Sequence, residues 1–284
     1  MCSRIFRSRV SNYGVWQPSY LRKAVDSALF RFGLEVNRST APDAIRDTIA
    51  MLRPVSNVQL MRLGGSSDGS YYVPDCLDGI SLCVSPGVST SWVFELDLLN
   101  SHGIPSVLCD RLEDHSKIPF RVFDFWLDSY SRQGFSSLNG WMDSLEIDSN
   151  QDLLLQMDIE GSEYMTLLSA GTEQLMQFRI LIVEFHNLHW LYNKNLHDTL
   201  LRPCFERLHE SWVPVFIHPN NASPVKRQGN IDIPMTLEVT FLRRDWVDKA
   251  KKIEENAVSI ENMKNVPEED PIKLSSLWFE YKAN

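Results

Sequence analysis

Three carboxylates fall within six positions in Met157-Asp158-Ile159-Glu160-Gly161-Ser162-Glu163, and a fourth stands two residues from an imidazole in Ile182-Val183-Glu184-Phe185-His186. Acids at the start of a helix are stabilised by its unpaired N–H groups, and Glu163 fits that role. Asp158 and Glu160 precede the helix on a strand-end loop, where they can face a cleft instead. Along a strand Glu184 and His186 share one face while Phe185 turns to the other. A Glu and a His so placed can ligate a hard metal ion together with Asp158, or supply a general base. A single buried histidine is more often structural, and both readings remain open.

Other strand ends are also polar. Ser85-Pro86-Gly87-Val88 closes the apolar run Ile80–Val84. A residue without a side chain at Gly87 permits close approach of a nucleoside. The turn has one glycine where a dinucleotide-binding loop has three, and Pro86 removes an N–H donor. Both features disfavour pyrophosphate, and with it a nicotinamide-dependent oxidoreductase. Asp110 ends the run Ser106–Cys109 and can accept hydrogen bonds from ribose hydroxyls or act as an ordinary loop acid. His218-Pro219-Asn220-Asn221 offers donors and acceptors suited to a hydroxyl-bearing substrate, or simply a turn.

The elements that must position these residues follow from the pattern of apolar runs. From residue 58 onward short β-type runs alternate with helical segments, the signature of a parallel sheet with crossover helices. Strands are expected over 80–84, 106–110, 120–126, 153–157, 179–185, 213–218 and 236–242. Helices are expected over 93–101, with Ser89, Thr90 or Ser91 as N-cap, over 137–145, from Ser162, and over 196–209. Pro219–Pro234 shows no helical pattern, so the last two strands should be antiparallel. Five βα units and a β-loop-β ending describe an α/β, doubly wound, Rossmann-like sheet of seven strands, the methyltransferase variant of that fold. Residues 1–56, helical over Tyr20–Phe32 and Asp43–Leu52, are expected to form an N-terminal cap, 57–246 the main domain, and 247–284 an extension docking on the core through Leu274–Tyr281.

A chain of 284 residues with a formal net charge of -9 has no excess of Lys and Arg to replace phosphate counterions, so nucleic acid is not an expected partner. The longest apolar run, Ile180–Val183, is too short to span a bilayer. Cys2, Cys76, Cys83, Cys109 and Cys204 are scattered without metal or disulfide spacing, and no apolar signal core follows the basic N-terminus. A cytoplasmic location is therefore expected. The oligomeric state is left open, a homodimer included.

Several blocks resemble, in order, the FkbM-like family of methyltransferases. They are Arg62-Leu63-Gly64 with Asp68-Gly69-Ser70-Tyr71; Ser85-Pro86-Gly87-Val88 with Phe94-Glu95-Leu96-Asp97; Met157 to Tyr164; Ile182 to His186; His218-Pro219-Asn220-Asn221; and Leu237 to Phe241. The likeness runs from about Arg62 to Asp245. It implies S-adenosylmethionine as cofactor and methyl transfer to a hydroxyl, often of a sugar or glycan. On that resemblance Ser85, Pro86, Gly87, Val88, Glu95, Asp110 and Asp158 would bind the cofactor. Related sugar O-methyltransferases hold a magnesium ion at the ends of strands four and five. This implies Asp158, Glu184 and His186 as ligands, with His186, Asp158 and Glu160 as the catalytic set and His218, Asn220 and Asn221 toward the acceptor. A protein that keeps the fold and only binds a glycan or a partner protein is the alternative, motivated by the single glycine.

Overall fold

The computed structural model describes residues 27–32, 37–55, 57–66, 68–89, 91–111, 114–251 and 264–279. The chain divides into two compact units, Met1–Arg38 and Ser39–Asn284. In the first, residues 27–30 are helical and 31–32 form a turn, two residues short of the expected end at Phe32; the part of that helix before residue 27 lies outside the described residues.

In the second unit the order is α1 (Pro42–Ala50), β1 (Leu60–Leu63), β2 (Tyr71–Pro74), β3 (Ile80–Pro86), α2 (Val93–His102), β4 (Ser106–Cys109), β5 (Arg121–Phe123), β6 (Trp126–Asp128), β7 (Phe135–Ser137) and α3 (Leu138–Ser144). There follow β8 (Asp152–Met157), α4 (Glu163–Ser169), α5 (Thr172–Met176), β9 (Phe178–Phe185), α6 (194–211, with a π turn at His197–Leu201), β10 (Trp212–Pro219), β11 (Val225–Gln228), β12 (Ile231–Pro234), β13 (Leu237–Arg243) and α7 (Arg244–Val247).

Seven strands form one sheet in the order β10-β13-β9-β8-β3-β4-β5. All eight residues of β9 are buried, as its unbroken apolar and β-branched run requires of a strand covered on both faces. β13 is antiparallel to both of its neighbours, β9 and β10, as the missing crossover helix predicts. Its register sets Glu238 opposite Glu184 on one side and opposite His218 on the other. Residues directly opposite in adjacent strands share a face, so His218, Glu238 and Glu184 form a row. Asp158, which follows β8, extends that row at the end of the next strand.

Some elements differ from expectation. The third strand is two pieces, because β5 stays in the main sheet while β6 leaves it to pair with β7. The segment 219–234, expected to be loop, carries the hairpin β11–β12, which buries Ile231 and Ile233. The N-cap of α2 is Trp92, without a side-chain bond. Ser89 is held elsewhere, by Asp110, and Thr90 lies outside the described residues. The pairing of β1 with β2 was not anticipated, since two four-residue runs give little periodicity to read. Among the described residues no helix is long and apolar enough to cross a membrane.

The main core gathers residues from both ends of this unit. Ile45 and Ile49 of α1 and Trp278 near the C-terminus enter the same cluster as Leu155, Leu181 and Val239 of the sheet. Trp278 is 0% exposed. Trp278→Ala is expected to cost about 3–5 kcal/mol through lost burial and an unfilled cavity. Equilibrium urea unfolding measures it, and an unchanged midpoint would contradict this docking of the C-terminal segment.

Candidate functional site

The carboxyl ends of β3 and β8 come so close that a side chain cannot stand between them. Gly87 has φ +84°, and a Cβ built on it would lie 1.5 Å from the Asp158 carbonyl oxygen. The Asp158 N–H donates to the Pro86 carbonyl at 3.3 Å. The glycine thus has a backbone reason, the crossing of two strand exits, in addition to any ligand it admits. Asp110 steadies the same turn: its Oδ2 accepts the Ser89 N–H at 2.8 Å and its Oδ1 the Arg111 N–H at 2.7 Å. Val88 packs behind the turn on Leu108 and Ile118.

Beside this turn lies a cavity of about 110 Å³ whose wall includes Asp68, Tyr71, Gly87, Glu95, Gln156 and Asp158. A chain of buried polar groups runs through its wall and floor. The Ser85 hydroxyl is 2.5 Å from Glu95 Oε1 and 2.6 Å from Gln156 Oε1, and Gln156 Nε2 donates to the Tyr71 hydroxyl at 3.0 Å. One serine proton cannot serve two acceptors. Burial raises the Glu95 pKa. A protonated Glu95 donating to Ser85, which donates to Gln156, satisfies both contacts. Tyr71 and Gln156 had not been singled out for a site role, although Tyr71 lies in one of the matched blocks. Gln156 reads as one more residue of a buried strand.

The second half of the site is built around Glu163, whose side chain is 0% exposed. Its Oε1 accepts N–H bonds from Gly161 at 2.9 Å and Ile159 at 3.2 Å and lies 3.0 Å from His186 Nδ1. Glu163 begins α4 as expected, but it also fixes the imidazole. With Nδ1 held by Glu163, Nε2 faces Glu160 at 3.5 Å, Asp158 at 3.8 Å and Glu184 at 4.0 Å. Asp158, Glu160 and His186 each bring a ligand atom within 4.8 Å of the others. Glu184, expected among the metal ligands, lies beside this trio with its Oε1 accepting from Asn220 Nδ2 at 2.8 Å. Glu160 and Asn187 hold φ of 57° and 55°, a left-handed backbone that is uncommon outside glycine and concentrates at functional sites.

Acids outnumber cations in this row. Burial and the Glu184 carboxylate push Asp158 up to about 8. Burial and Glu238 do the same to Glu184, against the opposing bond from Asn220, and burial lifts Glu238 to about 8. Burial alone would lower His186, yet the Glu163 bond and the surrounding carboxylates carry it up to about 9.

His218, Asn220 and Asn221 are buried and bonded within the chain. His218 Nε2 lies 3.1 Å from Asn265 Oδ1, and burial lowers its pKa to about 4. Asn265 Nδ2 donates to Glu238 at 2.6 Å and Asp68 at 3.2 Å. Asn221 exchanges bonds with the Val266 backbone in both directions. Asn265 carries no motif, and only tertiary contact brings it to this row.

No family model matches the chain, and no curated protein matches it, so the FkbM-like resemblance rests on its motif blocks alone. Solved structures that match include Streptococcus pneumoniae Sp1610, "a putative tRNA (m1A22) methyltransferase", at 9% identity and TM-score 0.32, covering 66% of this chain and 71% of that one. A human methyltransferase 10 domain containing protein matches at 12% identity and TM-score 0.31, covering 78% and 94%. The delta-N METTL16 methyltransferase domain matches at 11% and 0.30, covering 78% and 94%. Likeness this remote does not identify a family. The expectation that nucleic acid is no partner is corrected: the matches include a protein described as "a putative tRNA (m1A22) methyltransferase", and net charge alone does not exclude such a partner. A chain-wide sum of charges does not report where the charges lie.

The folded pKa values of Asp158, Glu184, Glu238 and His186 all exceed their unfolded values. Each group therefore withdraws stability as pH rises from its unfolded value toward 8 or 9. The urea midpoint is expected to be lower at pH 9 than at pH 6.5, and a midpoint that rises over this interval would contradict the assignment.

Proposed function

We propose that the chain is an S-adenosylmethionine-dependent methyltransferase of the FkbM-like kind, acting on a hydroxyl of a polar acceptor, a sugar or glycan. The observation that carries this reading is the cavity beside the turn that follows β3. Its wall includes the carboxyl groups of Asp68, Glu95 and Asp158 and, among the described residues, no Lys, Arg or His. Burial raises the pKa of Glu95 and Asp158, so a cationic ligand entering beside them can displace their protons, while a phosphate finds no cation to pair with. Asp158 belongs both to this wall and to the His186 trio, so the two half-sites adjoin.

S-adenosylmethionine, when bound, supplies an activated methyl group on a cationic sulfur. In this reading Ser85, Glu95, Gln156 and Tyr71 shape the wall that seats it, and Pro86, Gly87 and Val88 form the turn over it. Asp110 spends one lone pair of each oxygen on backbone N–H groups, leaving others for ribose hydroxyls. His186, oriented by Glu163, takes the acceptor proton at Nε2, while Asp158 and Glu160 position the hydroxyl. Most of the acceleration comes from positioning.

His186→Ala should lower transfer by about 10²–10⁴-fold, the usual worth of a general base, with cofactor binding retained. Because Glu163 keeps His186 protonated up to about pH 9, transfer should rise as pH increases from 7 toward 9. Glu163→Gln should move that rise to lower pH. Calorimetry with S-adenosylmethionine tests the premise: absence of binding sinks the proposal. Glycan binding without cofactor binding would favour the glycan-binding alternative, and binding of cofactor without transfer to any of a panel of sugars, nucleotide sugars and lipid-linked glycans would overturn the sugar acceptor.

A second reading is favoured by one atom. Asp158 Oδ1 is buried without a hydrogen-bond partner, next to Glu160 and His186 Nε2. Two hard oxygens and an imidazole nitrogen fit a divalent cation such as Mg²⁺ or Mn²⁺. His186 would then be a ligand. Transfer abolished by a chelator and restored by Mn²⁺, with Mn²⁺ binding lost in Glu160→Ala, selects this reading. Indifference to the chelator selects the base.

A further inference from the structure

The region 111–137 carries a run of packed rings and guanidinium groups that the proposed chemistry leaves unused. Arg111 lies 4.9 Å from the Trp126 ring centre, Trp126 and Phe135 are 5.3 Å apart, and Arg132 sits 3.7 Å from Phe135 and 4.5 Å from Tyr130. Large rings are normally covered, yet Trp126 is 46% and Tyr130 60% exposed. The face is anchored at its base, where Leu127 is buried in the main core.

Its position ties it to both half-sites. Arg111 follows Asp110, whose carboxylate holds Ser89 at the cavity rim, and its guanidinium lies against Gly134 of the turn between β6 and β7. β6 packs on α4, the helix entered through the Asp158–Glu160 loop. At the other end of the acid row the approach is taken by the chain itself, since Asn265 and Val266 engage His218, Glu238 and Asn221.

The charges on this face are balanced. Arg132 pairs with Asp128 at 2.6 Å and Arg111 with Asp124 at 3.8 Å. A phosphate polymer would meet as many carboxylates as guanidinium groups there and gain little. A neutral sugar ring suits it better. The C–H face of a pyranose is apolar and stacks on the electron-rich face of Trp or Tyr, while Asp128 and the Ser131 hydroxyl can bond its hydroxyls.

We propose that the Trp126–Tyr130–Phe135 face is the acceptor-binding surface and that its occupant is a neutral oligosaccharide stacked on Trp126 and Tyr130. Calling the occupant an acceptor rests on the methyltransferase reading; the surface itself does not. The full chain, applied to an array of neutral oligosaccharides, should be retained. Trp126→Ala and Tyr130→Ala should each weaken retention about tenfold or more, as loss of one stacking ring implies. Thermal melts show that each variant is folded, and the more exposed Tyr130 serves if Trp126→Ala does not fold. No retention of any neutral oligosaccharide, equal retention by both folded variants, or binding of the oligonucleotide dT15 alone overturns the proposal. Calorimetry with S-adenosylmethionine on the same preparations separates the two ideas. Oligosaccharide binding without cofactor binding sinks the methyl-transfer reading and keeps the surface; the reverse keeps methyl transfer and sinks the surface.

Discussion

One buried carboxylate oxygen organises the ends of the two central strands. Glu163 Oε1 gathers two N–H groups of the loop after β8 and the imidazole at the end of β9. Without it the Ile159 and Gly161 amides would lose a partner in a half-buried loop, the left-handed turn at Glu160 and Gly161 would lose its tether, and the His186 ring could rotate. Because a carboxylate is acceptor-only, it also selects the proton on Nδ1 and leaves Nε2 for the site. A residue that by local rules is a helix-start acid therefore sets the tautomer of His186.

The electrostatic character of the site follows from what surrounds that oxygen. Asp158, Glu184 and Glu238 stand along one edge of the sheet, and the groups bonded to the two glutamates are the amides of Asn220 and Asn265. Amides satisfy oxygen lone pairs without neutralising charge, so burial and mutual repulsion hold protons on the carboxyls near neutral pH. A site of this kind is short of positive charge. A cationic cofactor, a protonated histidine and a divalent ion would each relieve that shortage, and for that reason the same few residues support both a base and a metal reading.

The covering of the site is non-local. Asn265 reaches three residues separated widely in sequence, Asp68, His218 and Glu238, and Asn221 holds the neighbouring backbone. One end of the row is closed by this segment, and the exposed rings of Trp126 and Tyr130 lie in and just after β6. Neither feature belongs to the repeating βα pattern; both are additions to it.

The sequence by itself determined the sheet. Short continuous apolar runs alternating with helical segments fit strands covered on both faces, and the missing crossover before β13 makes that strand antiparallel. It also made Asp158, Glu160, Glu184 and His186 able to face one cleft, because β8 and β9 end side by side and residues two apart on a strand share a face. Tertiary structure alone decided the rest. Gln156 and Tyr71 join through a pairing 85 residues apart, and Asn265 arrives from a segment with no periodicity. Glu163 became the partner of His186 only when α4 docked beside β9. Gly87 proved to be required by the Asp158 backbone as well as open to a ligand. Periodicity reports which face of an element is buried; it carries no information on which distant side chain completes the hydrogen bonds there.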